Sequence, residues 1–193
     1  MVATPSTMLQ LGTDLPKFSL LDVVSGQTVT RNDVDGSGAV LVMFICNHCP
    51  YVQHIMEELD RLAGDYIPRG ISILAINSND TNAYPQDGPG PMKELAEKRG
   101  WTFRYLFDET QQAAKIFQAA CTPDFFLFDG QRRLVYRGQL DDSRPQSGIP
   151  LTGRDLRAAM EAVLAGQPVP GNQKPSLGCN IKWKPGNEPS YFV

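Results

Sequence analysis

The sequence predicts an α/β domain with a mixed central sheet. Three observations predict it. Strand-sized apolar runs alternate with amphipathic helical stretches along most of the chain. Residues 39–45 are apolar at every position, as a central strand covered on both faces must be. Residues 125–128 and 133–136 flank the turn signal Asp129-Gly130, so the pattern closes with a hairpin and the sheet is mixed, not purely parallel.

The elements follow in order. Residues 1–15 read as a loose lead-in to a domain over 16–166. Residues 18–21 and 27–30 form a short N-terminal hairpin over Ser25-Gly26. Residues 33–38, rich in Asp and Gly, read as a loop. The apolar strand 39–45 runs into Cys46-Asn47-His48-Cys49 and Pro50. Val52, Ile55, Met56, Leu59, Leu62 and Ala63 then recur at helical spacing, with His54 on the polar side. A second buried strand covers 71–76, and 77–90 is a long loop. Pro91 suits a helix start. A short strand at 103–107 precedes a helix capped by Asp108. After the closing hairpin, Thr152 and Asp155 resemble a capping box for a last helix ending at Gly166. The order is β-α-β-α-β-α-β-β-α. The tail, 167–193, holds five prolines with Cys179, Ile181, Trp183, Tyr191 and Phe192. That much apolar surface predicts an extended segment packed on the domain.

Composition narrows the function. The net charge is −3 with no basic run, which argues against a nucleic-acid partner. No apolar run reaches membrane-spanning length, and the first residues lack a basic-then-apolar leader, so the expected compartment is the cytoplasm. Four cysteines in 193 residues are too few for a disulfide scaffold.

A two-cysteine turn at the head of a helix is a redox device for a physical reason. Unsatisfied backbone N–H groups and the positive end of the helix dipole stabilise a thiolate there. A second thiol one turn away resolves the mixed disulfide. The spacing assigns Cys46 as attacker and Cys49 as resolver, with His48 lowering the pKa of Cys46 further. Zinc is the competing reading. Structural zinc usually takes two close ligand pairs, and the chain offers only one. The expectation is therefore no metal and no cofactor.

Strand, two-cysteine turn, helix, and later Thr122-Pro123 before an apolar strand resemble the thioredoxin superfamily. More closely, residues 44–50, 120–129 and 176–184 resemble a peroxiredoxin-like, AhpC/TSA-related group. The resemblance implies a thioredoxin-like fold with Pro123 cis against the cysteine pair. It also implies that the Thr122 backbone receives a substrate strand by β-addition. True peroxiredoxins carry a threonine three residues and a proline seven residues before the peroxidatic cysteine. Before Cys49 these positions are Cys46 and Val42; before Cys46 they are Met43 and Ala39. Thioredoxins carry an acidic residue on the strand before the pair, absent here.

Cys121 and Cys179 are candidates for additional redox thiols. The reading is a thiol–disulfide oxidoreductase acting on protein disulfides, re-reduced by a thiol reductant. A thiol peroxidase on the same fold is the alternative. A metal- or partner-binding protein without catalysis is the third class.

Overall fold

The computed structural model describes residues 3–34 and 38–192. Among them, strands β2 (Ser19–Asp22), β3 (Thr28–Thr30), β4 (Ala39–Phe44), β5 (Ile71–Asn77), β6 (Arg104–Phe107), β8 (Asp124–Phe128) and β9 (Leu134–Gly138) form one sheet in the order β3-β2-β6-β5-β4-β8-β9. A smaller antiparallel sheet joins β1 (Ala3–Pro5), β10 (Leu177–Asn180) and β7 (Cys121–Thr122) in the order β1-β10-β7. In the large sheet β4 runs parallel to β5, and β5 to β6; every other pair is antiparallel. The mixed α/β sheet and the N-terminal hairpin are as the sequence predicts.

The two faces are covered differently. Leu41, Met43 and Ile45 pack with α1 (Pro50–Tyr66), α2 (Pro89–Arg99) and α4 (Arg154–Leu164), through Val52, Ile55, Leu59, Met92, Leu156 and Met160. Val40, Val42 and Phe44 face α3 (Gln112–Phe117), which has only six residues. One short helix cannot cover that face. Leu9 and Leu15 from the N-terminal segment and Ile181 and Trp183 from the tail complete it. Each such burial is worth about 1.5–3 kcal/mol. The lead-in is thus not loose: Ala3–Pro5 pairs with the tail, and Leu15 is wholly buried. The tail packs on the domain through Cys179, Ile181 and Trp183, while Phe192, expected to be covered as well, is exposed.

Several local expectations are corrected. Residues 31–34 form a 3-10 turn, and 35–37 of the expected loop lie outside the described residues. Helix α2 starts at Pro89, which takes the first position in place of Pro91. Gln111, in left-handed conformation, precedes α3, while Asp108 reaches forward to the Ala114 N–H. No Thr152–Asp155 box forms. Asp141 Oδ2 accepts the N–H groups of Thr152 and Gly153, both at 2.7 Å. Asp155 instead accepts from Gln139. A carboxylate from a distant loop replaced the local cap because it reaches two donors at once.

Candidate active site

The site sits where β4 gives way to α1. Cys49 is the residue immediately before α1, in extended conformation, and Pro50 takes the first helical position. Proline suits that position because its missing N–H is one the helix cannot use. Cys49, not Cys46, therefore stands at the head of the helix. The sequence carried this signal in Pro50, and the expected roles overlooked it. Both sulfur-bearing residues are buried.

The thiols form a directed arrangement. The Cys46 thiol donates to the Cys49 sulfur, which is the largest influence drawing Cys49 down to about 4. Burial opposes the shift; the Cys179 thiol, the Val52 N–H and the Thr122 hydroxyl support it. Cys46 is pushed well above the ordinary thiol range, first by that same hydrogen bond, then by burial and the Asp87 charge. The hydrogen bonds thus act downward on Cys49 and upward on Cys46, the opposite direction to that expected from the spacing. In the neutral form the Cys49 thiol donates to the Thr122 carbonyl at 3.2 Å, and Cys46 Sγ lies 3.4 Å from Thr122 Oγ1.

His48 does not supply the expected pull on Cys46. Its Nδ1 meets Asp87 Oδ2 at 2.5 Å, and its ring stacks on Tyr84 with centroids 4.9 Å apart. Asp87 is completely buried. It also accepts the Asn47 and His48 backbone N–H groups at 2.9 and 3.3 Å and the Asn79 amide at 2.8 Å. Asn47 is held in turn by the buried Tyr105 hydroxyl. The segment expected to be an open loop is folded back by these bonds, with Asn77, Ser78, Asn79 and Asp87 buried. It brings a carboxylate to the cysteine turn that the strand before the pair lacks. Cys46, His48 and Asp87 hold ligand-type atoms within 4.8 Å of one another, so they are the described residues that would gather on a metal ion. His48 and Asp87 spend those atoms on each other.

His54, on the polar side of α1, is nonetheless half-buried and bonds Ser143 Oγ at 2.8 Å. The Thr122–Pro123 peptide is cis. The edge beside it is occupied: Thr122 pairs with Cys179 and Cys121 with Asn180. The strand expected from a substrate comes instead from this chain's own tail. Cys121 is fully buried, which raises its thiol well above the usual range. Burial, then donation to Cys49, pushes Cys179 up to about 12.

A cysteine pair at the head of a helix, facing a cis X–Pro loop on this mixed sheet, defines a thioredoxin-fold protein. The chain belongs to the AhpC/TSA family, whose model matches residues 11–137. The thiol-disulfide oxidoreductase ResA of Geobacillus kaustophilus is 25% identical over 139 residues, 71% of this chain and 75% of that protein. The crystal structure of an uncharacterized conserved protein from Geobacillus kaustophilus is 56% identical, with a TM-score of 0.94 over 96% of this chain and 98% of that one. A thiol:disulfide interchange protein of the thioredoxin family from Chlorobium tepidum TLS shares the fold, with a TM-score of 0.60 at 16% identity over 79% of this chain and 97% of that one.

Proposed function

We propose that this chain is a thiol–disulfide oxidoreductase acting on protein disulfides through a Cys46/Cys49 couple. The observation that carries the reading is the placement of both sulfurs at the start of α1 against Thr122 of the cis Thr122–Pro123 peptide, Cys46 Sγ 3.4 Å from the Thr122 hydroxyl and Cys49 Sγ 3.2 Å from its carbonyl oxygen. A thiolate poised there attacks a disulfide, and a thiol one turn away resolves the product. Kinship with a ResA protein named as an oxidoreductase supports the same reading.

The hydrogen bonds to Cys49 and its place immediately before α1 favour it as attacker and Cys46 as resolver. Cys49 thiolate attacks one sulfur of the substrate, and the other substrate sulfur leaves as thiolate. Cys46 then loses its proton and attacks Cys49 Sγ, forming Cys46–Cys49 and releasing the second substrate thiolate. The His48–Asp87 pair lies beside Cys46 to take that proton. Two electrons pass to the substrate, and an external thiol reductant restores the pair. Peroxide reduction is less favoured, because Cys46 and Val42 stand where a peroxidatic centre at Cys49 would have threonine and proline.

Insulin disulfide reduction driven by dithiothreitol tests the proposal. Turnover is expected from the unaltered chain and should be lost in Cys46→Ser and Cys49→Ser. Equal turnover in both variants would refute it.

A further inference from the structure

The tail strand meets the site at close quarters. β10 lies antiparallel to β7, with Cys179 opposite Thr122, and packs against α1. Gly178 makes the approach possible. A Cβ there would stand 2.0 Å from the Thr122 carbonyl oxygen and 3.0 Å from Pro123 N. On the same stretch the Ser176 hydroxyl donates to the Pro123 carbonyl at 2.6 Å. The strand is therefore anchored on both residues of the cis peptide. This places Cys179 in the same buried cluster as Cys46 and Cys49: it stands opposite Thr122, whose carbonyl oxygen lies 3.2 Å from the Cys49 sulfur.

Cys121 has no comparable geometry. Its thiol points to the Pro123 carbonyl at 3.6 Å. It neighbours Cys179 in the β7–β10 ladder but is paired with Asn180.

We propose that Cys179 is a third redox thiol, which exchanges with the Cys46–Cys49 disulfide to give a Cys49–Cys179 disulfide and a reduced Cys46. The inference rests on the proposed redox couple and extends it. Cys179 gives up its proton and attacks Cys49 Sγ in line with the existing bond. The Cys49–Cys179 bond forms, the Cys46–Cys49 bond breaks, and Cys46 leaves as thiolate and takes up the proton. No electrons are gained or lost, so the step needs no further oxidant. The raised pKa of Cys179 makes it a poor attacker until its proton is removed, and the exchange follows oxidation of the pair because the Cys46–Cys49 disulfide is what it attacks.

The consequence is local. In the reduced chain β10 is held over the cis-proline edge by hydrogen bonds and packing, with no covalent tie. In the exchanged form it is tied there covalently, and the edge is closed to any other strand. Cys49 thus chooses between two partners, one on the turn and one on the tail.

The test uses the full chain, oxidised in glutathione buffers of graded potential, acid-quenched, alkylated and mapped by peptide mass spectrometry. Two intramolecular species are expected, Cys46–Cys49 and Cys49–Cys179. Their ratio should stay constant across the buffers, because their interconversion moves no electrons. Cys46→Ala should form Cys49–Cys179 alone, and Gly178→Ala should lose that species by displacing β10. If Cys46–Cys49 forms and Cys49–Cys179 appears in neither the unaltered chain nor Cys46→Ala, this proposal fails while the redox couple stands. If the unaltered chain forms no intramolecular disulfide at all, the couple itself fails and this inference with it. The unaltered chain alone decides the matter should either variant not fold.

Discussion

Asp87 Oδ2 and His48 Nδ1 lie 2.5 Å apart, the carboxylate fully buried and the imidazole partly so. The carboxylate also receives two backbone N–H groups of the cysteine turn, so it fixes both the turn and the ring. Its negative charge raises the Cys46 thiol. Replacing it with asparagine keeps the shape and removes the charge. In Asp87→Asn the Cys46 thiolate, and with it the reduced form, should become easier to reach. The couple should turn less reducing by about 30 mV, the equivalent of roughly 1.4 kcal/mol. Equilibration against glutathione checks this; a more negative potential would contradict the role given to Asp87.

The acidity of the thiols separates the two cysteines. Thiolate ultraviolet absorbance followed against pH should reveal one thiolate well below the ordinary range, towards about 4. Cys49→Ser should abolish it. Cys46→Ser should keep it, because a serine hydroxyl still donates to the Cys49 sulfur. The opposite pattern would return the attacking role to Cys46.

Gly178 tests how tightly the tail is docked. In Gly178→Ala the new methyl meets backbone oxygen, which cannot swing aside as a side chain would. A loss of about 1–3 kcal/mol is expected, seen as a melting temperature lower by several degrees. Amide exchange at Thr122 and Cys179 should accelerate more than exchange in β4. An unchanged melting temperature would mean the strand is not held as described.

Asp124 gives stability a pH dependence. It follows the cis proline on β8, is fully buried, and neither carboxyl oxygen meets a well-placed donor among the described residues. Burial raises its pKa from 3.8 to about 7, with Ser6 and the Ala120 and Phe125 backbone opposing only in part. The folded chain therefore holds a proton that the unfolded chain has lost across this interval. Stability contributed by the neutral carboxyl is fully present below about 4 and falls as pH rises towards 7, by on the order of a few kcal/mol. Asp124→Asn should flatten that slope and be the more stable protein at neutral pH. Denaturant titrations across the interval decide it; an unchanged slope would assign the dependence to other groups.

Much of this protein was legible before its structure. Continuous apolarity marked β4 because a strand covered on both faces has no polar position to spare. Helical spacing marked α1, since one face must meet the sheet. The Cys46–Cys49 turn between them read as a site by position, and Thr122-Pro123 before β8 joined it through the resemblance to the thioredoxin superfamily. What the sequence left open has one physical source: contacts between residues far apart in the chain carry no local signature. Asp87 looked like loop composition until side-chain hydrogen bonds folded residues 77–90 back onto the turn. Asp141 displaced the Thr152–Asp155 box from a distance no spacing rule covers. The covering of a sheet face left bare by a six-residue helix drew in both chain ends. That same packing set Cys179 opposite Thr122, so only the tertiary structure decided which strand fills the edge beside the cysteines.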